Sequence, residues 1–269
     1  MPRWWDPDQE ELRLRRKAAQ VRAIIDGFAA VGISVGYGYS ADTDPGPAGM
    51  DYLYRTDQVL TRDRDVDRVS AVLGRDVSGP KNGRVATDTT ASSAPPRPGG
   101  QLQGDDRRPA EIYRGQSLSG LFPVQLIGTE EATAVVDACD LQLGQGVVTV
   151  NHVVHISPAG CCPATEPVPF DGPLDPPANP DRASDGAGVR VVVIDTGLVP
   201  GVVEDHTWLT GVTGGAEDTA VGHYRGHGGF IAGVIRVMAP NAEVHVEPLM
   251  FAAGAVLEAD LAPALARAL

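Results

Sequence analysis

Cysteine is scarce in this chain, and what there is of it is badly spaced for a framework. There are 3 cysteines in 269 residues, Cys139, Cys161 and Cys162. An odd count with two adjacent thiols makes a poor disulfide scaffold, and the absence of a Cys-x-x-Cys pair removes the usual zinc spacing. Basic charge is also short: 22 Lys and Arg stand against 35 Asp and Glu, a net charge of −13. Such a chain has no basic surface with which to release counterions, so neither a nucleic acid nor an anionic membrane is an expected partner. No apolar run is long enough to span a bilayer. The opening MPRWWDPDQEELRLRRKAAQ carries early charges without an apolar core or a small-residue cleavage site, unlike a secretory signal. The resulting expectation is a cytoplasmic protein with reduced thiols.

What is present begins with enough apolar sequence, 42%, to build a core. Gly 32 and Pro 22 point to many turns and at least one open linker. Residues 6–30 have helical spacing, with Leu12, Ala19, Ile24 and Phe28 near one face. Gly32, Gly36 and Gly38 follow, and GYGYS reads as a flexible loop, because no strand precedes it and no Lys follows as in a phosphate loop. The pattern predicts a strand in DYLYRTDQVLTR and a short helix capped by Gly74. Residues 78–109 have no aromatics and almost no branched apolars, so they cannot offset their ordering entropy and are expected to be disordered. A strand is predicted over Leu121–Thr129, a helix with an acidic first turn over EEATAVVDACDLQL, and a strand over Gly146–Pro158. These elements suggest a small α+β layer, ferredoxin-like if two βα units fold onto one sheet. A Pro-rich connector covers 158–187, and Cys161 and Cys162 read as incidental thiols within it.

From residue 188 the pattern becomes α/β. VRVVVIDTG is a continuous branched run typical of a parallel strand, GHGGFIAGVIRVM a Gly-rich helix start, AEVHVEPLM a second strand and LEADLAPALARAL a second helix. Strand, helix, strand, helix is the beginning of a doubly wound sheet. The expected divisions are a helical segment at 1–50, an α+β region at 51–157, the connector at 158–187 and the α/β region at 188–269.

The buried run Val191–Ile194 ends on Asp195. A carboxylate at the rim of a buried strand must be solvated, paired or used. It could be a turn residue bonding its own backbone, one half of an aspartic-protease pair, or the acid of a Ser-His-Asp triad. The aspartic pair needs a second Asp-Thr/Ser-Gly, and the chain has none. His227 opens the next predicted helix, 32 residues on, and faces the carboxyl ends of the strands, where open α/β sheets place their sites. His223 and His227 lie four apart, as on a zinc-binding helix, but Gly226, Gly228 and Gly229 argue against helix across that span. His152, His155, His206 and His245 have no ligand spacing. HTWLTG, with Trp208, reads as a packed aromatic or a substrate-side loop.

VVVIDTGL followed by GHGGFIAGVIRVMAPNAEV resembles the subtilisin-like serine proteases. That family carries its catalytic Asp in an apolar-Asp-Ser/Thr-Gly turn, then its His in His-Gly-Thr-His-Val-Ala-Gly, then Ala-Pro. Here the second element reads His227-Gly228-Gly229-Phe230-Ile231-Ala232-Gly233, with Ala239-Pro240 after it. Gly229 and Phe230 replace the family's Thr and second His. The order Asp, His, Ser is the subtilisin order. The resemblance covers residues 188–269 and implies a serine endopeptidase acting on a protein or peptide, with Asp195 and His227 as triad members; no cofactor is expected and no residue is assigned as a metal ligand. The family's Gly-Thr-Ser and its oxyanion Asn have no counterpart, so the expectation is an N-terminal fragment of a longer protease, inactive by itself. The alternative is an inactive relative serving as a binding or regulatory module. The resemblance also offers two readings of the α+β region: a pro-region, with a possible intramolecular contact to the catalytic domain, or an accessory domain.

Overall fold

Two sheets of opposite character organise the chain. In the computed structural model the described residues are 7–39, 50–75, 77, 120–156 and 184–268. The predicted disordered stretch and nearly all of the Pro-rich connector, with Cys161 and Cys162, lie outside them. The chain divides into two units that alternate along the sequence. One gathers the N-terminal helix up to Phe28 together with His155–Val256. The other gathers Ala29–Asp42 and Asp51–Val154 with the C-terminal helix from Leu257 on.

The second unit is built on an antiparallel sheet. β1 (Val35–Gly38) and β3 (Leu121–Gln125) both pair with β2 (Tyr52–Arg62), β1 along Tyr52–Arg55 and β3 along Gln58–Arg62. β4 (Val148–His155) runs along β2 with a register shift between Arg55 and Val59. Both β3 and β4 are antiparallel to β2 and therefore parallel to each other, joined by α3 (Ala132–Leu143) with β2 between them. That is a split β-α-β arrangement. α2 (Val66–Leu73) and α3 close over a core of Val59, Val69, Val124, Val135, Cys139 and Val150. Gly74 caps α2 in the left-handed region (φ 63), which a residue without Cβ adopts freely. Burial pushes the Cys139 thiol up, so it packs as a small apolar group.

Gly36, Tyr37 and Gly38, read from the sequence as part of a flexible loop, are strand. A Cβ at Gly38 would collide with the ring of Tyr52, and one at Gly36 would press on the ring of Tyr54. The glycines are the space in which two tyrosines of the neighbouring strand lie. The helix α3 also differs from expectation: Glu130 and Glu131 precede it rather than filling its first turn. The Glu130 carboxylate is engaged elsewhere, accepting from Arg75 at 2.8 Å and from the Ile127 N–H at 3.0 Å. The strand before it stops at Gln125, short of Thr129.

The first unit holds a parallel sheet. β5 (Arg190–Asp195) pairs with β7 (Glu243–Pro248), and β7 pairs with the short β6 (Val212–Gly214). The short helix α4 (Val202–Asp205) follows β5, and α5 (His227–Met238) packs on β5 and β7. Leu198, Leu209, Ala232, Val244 and Val246 form the core, with Val191, Val193 and Trp208 against it. Trp208 is thus packed, the plainer of its two readings. α1 (Pro7–Ala30) buries Val21, Ile24 and Phe28, and Phe28 meets Phe251 edge-on at 5.0 Å. The C-terminal stretch is helical as predicted, α6 (Glu258–Ala268). The architecture is therefore mixed α/β, with one mostly antiparallel and one parallel sheet. Among the described residues no helix is long and apolar enough to cross a membrane.

Candidate active site

Asp195 is the last residue of β5 and His227 the first of α5, so the end of one element meets the beginning of another. Their ring and carboxylate meet directly. His227 Nδ1 lies 2.9 Å from both Oδ1 and Oδ2 of Asp195. A carboxylate only accepts, so the hydrogen sits on Nδ1, and Nε2 carries the lone pair of the neutral ring. The Asp195 side chain is 7% exposed and the His227 side chain 21%. A buried acceptor that loses one of its hydrogen-bond donors costs about 1–3 kcal/mol.

Backbone groups finish the carboxylate. The Thr196 N–H donates to Asp195 Oδ1 at 2.7 Å. The Asp195 carbonyl takes the N–H groups of Leu249 and Met250, each at 3.0 Å, so the chain leaving β7 holds the end of β5. Thr196, 0% exposed, turns its Oγ1 to the Gly228 N–H at 3.1 Å, which fixes the start of α5 against the turn after Asp195. That N–H belongs to the first turn of a helix and has no partner within it. Tyr224 sets its ring edge to that of His227, with centroids 6.5 Å apart.

Glycine permits this approach at two points. Gly197 has φ +99, and a Cβ there would lie 2.8 Å from the Glu217 N. At Gly228 a Cβ would lie 2.5 Å from the Gly197 carbonyl oxygen. Gly229 is different: nothing lies within 4 Å of its would-be Cβ, so the family's Thr would fit there. Phe230 is 52% exposed.

The other histidines whose side chains are described make contacts of their own. His152 Nδ1 bonds Glu258 at 2.8 Å, His155 Nδ1 the Ile156 carbonyl at 3.0 Å, and His245 Nδ1 Thr213 Oγ1 at 3.0 Å. The ring of His206 stands 6.3 Å from that of Trp208. His223 lies in the 3-10 segment Thr219–Tyr224, broken at Gly222, and not on the α5 face of His227. Among the described residues no group of three or more His, Cys, Asp or Glu could hold a metal ion.

Glu217 was not foreseen. Its side chain is 4% exposed; Oε2 accepts from the Gly226 N–H at 2.7 Å and Oε1 from Arg225 Nε at 3.1 Å. Glu217, next to Asp218 in GGAEDTAVGHYRGHGG, has no spacing that would single it out. The chain matches no protein-family model, no curated protein and no solved structure.

Proposed function

We propose that this chain carries the acid and the base of a subtilisin-like serine endopeptidase. The observation that carries the reading is the 2.9 Å contact of His227 Nδ1 with both carboxylate oxygens of Asp195, at the carboxyl end of a parallel strand. In this arrangement Asp195 holds the Nδ1–H tautomer and stabilises the imidazolium that forms when Nε2 takes a proton. The proton would come from a serine hydroxyl as it attacks the substrate carbonyl, and return to the leaving amine. No serine occurs in residues 185–268, so these residues supply two members of the triad and not the nucleophile. The α+β unit, with its split β-α-β sheet, is read as the pro-region-like part. Its ferredoxin-like character and the subtilase character of the parallel sheet belong to this proposal.

The test is covalent labelling. The product of the native reading frame is treated with a fluorophosphonate, which reacts with activated serines. Labelling that disappears in His227→Ala and in Asp195→Asn is the expected result. A product that never labels overturns the peptidase reading and favours a binding or regulatory module.

A further inference from the structure

We infer that Glu217 is the positioning residue of the Asp195–His227 pair: its buried carboxylate fixes the backbone immediately before His227 and ties it to the turn immediately after Asp195. The inference deepens the reading proposed above and rests on it. The mutual position of ring and carboxylate depends on two backbones, the end of β5 and the start of α5. Gly226, the residue before His227, stands in the left-handed region (φ 84) at the N-cap of α5. Its N–H donates to Glu217 Oε2 at 2.7 Å, a short charge-assisted bond.

The other end of Glu217 is anchored to the Asp195 turn. The Glu217 N–H donates to the Leu198 carbonyl at 3.0 Å, and the Leu198 N–H to the Gly215 carbonyl at 2.9 Å. Leu198 and Ala216 form a parallel bridge between these two segments. At Gly197 the backbones touch so closely that a Cβ would lie 2.8 Å from the Glu217 N and 2.9 Å from its Cα. A continuous strut therefore runs from the Asp195-Thr196-Gly197 turn through the Glu217 backbone and carboxylate to the Gly226 N–H and His227.

An ordinary surface ion pair with Arg225 does not account for this geometry. Arg225 is 72% exposed and would reach an outward carboxylate as well, whereas the Glu217 side chain is 4% exposed with one oxygen turned to a main-chain N–H. Two donors converge from different directions, one on each oxygen, and only a carboxylate meets both as an acceptor.

The test reads the imidazole of His227 by NMR in the full nitrogen-15-labelled chain, with the ring signals assigned by their loss in His227→Gln. The wild-type ring is expected as a fixed Nδ1–H tautomer with a slowly exchanging proton. Glu217→Asp draws the carboxylate back by one methylene. Exchange of that proton should then quicken about tenfold, the worth of one hydrogen bond, and the tautomers should mix. Glu217→Gln keeps an acceptor for Gly226 and should preserve the signature, and Arg225→Ala should leave it unchanged.

A wild-type signature in a folded Glu217→Asp, an equal loss in Asp and Gln variants, or a loss in Arg225→Ala as large as in Glu217→Asp overturns the assignment. Glu217→Ala is a further check where it folds by circular dichroism, and it should behave as Glu217→Asp does. The readout is independent of serine labelling. A chain that never labels but whose His227 ring follows Glu217 loses the peptidase reading and keeps the positioning role. A wild-type ring without a fixed Nδ1–H overturns both.

Discussion

At the residue scale, two adjacent glycines make opposite predictions. Gly228 has no room for a methyl group, because the atoms in the way are the backbone O and N of Gly197 at 2.5 and 3.0 Å, which cannot rotate aside. Gly228→Ala must push α5 off the turn after Asp195 and should destabilise by about 2–3 kcal/mol, as overpacking does. Gly229 faces open space within the same helix. Gly229→Ala should therefore stabilise by roughly 0.5–1 kcal/mol through helix propensity. Urea unfolding of the two variants checks both signs, and equal effects would mean that the clearance around Gly228 is misplaced. Asp195 and His227 were legible in the sequence because each sits in a contiguous motif whose chemistry demands that residue type. The need for glycine beside each was legible for the same reason. Glu217 was not legible. Its importance comes from two segments folding back on one another, Leu198 against Ala216, and nothing local to GGAED records that pairing.

At the element scale, the acid that was expected inside the first turn of α3 braces the unit from outside it. Glu130 accepts from Arg75, which follows the cap of α2, and from the Ile127 N–H in the turn after β3. The hydrogen bond from Arg75 chiefly holds its carboxyl below the usual range, against the opposing pull of burial. A folded-state pKa below the unfolded one means that the stabilisation is present above the unfolded value, about 4.3. It is lost as pH falls through the lowered folded value. Glu130→Gln removes the titration. The variant should be less stable than wild type at neutral pH, and the difference should shrink towards pH 3. Thermal melts across pH 3–7 would show it, and a constant difference over that range would rule out this linkage. Helix and strand identity was largely legible here: α2, α3, β2 and β4 form where the sequence places helices and strands, although Val59, Leu60 and Thr61 of β2 are buried in succession rather than in alternation. The strand β1 was not, because its glycines look like loop residues until the Tyr52 and Tyr54 rings across the sheet are seen to occupy the space they leave.

At the scale of the whole molecule, periodicity gave the elements but not their grouping. α1 belongs with the parallel sheet, and α6, adjacent in sequence to the last residues of that unit, belongs with the antiparallel sheet. An amphipathic helix states which face it buries, not against what. Long-range pairings decide that, such as Gln20 Nε2 donating to the Ile156 carbonyl at 3.1 Å or the Ala259 N–H to Asn151 Oδ1 at 3.1 Å. Net charge, in contrast, needs no fold to be read. With 35 acidic against 22 basic residues and a pI of about 4.8, the net field of the chain opposes the approach of phosphate backbones. Nucleic-acid affinity comes chiefly from counterions released by clustered Lys and Arg, so binding at physiological salt should be weaker than even the typical non-specific range of about 10⁻⁴–10⁻⁶ M. Fluorescence anisotropy of labelled duplex and single-stranded DNA, titrated with the protein at two salt concentrations, is expected to stay flat. A saturable rise that weakens with salt would reveal a basic surface for which neither the composition nor the charge pattern accounts, and would overturn the charge argument against nucleic acid as a partner.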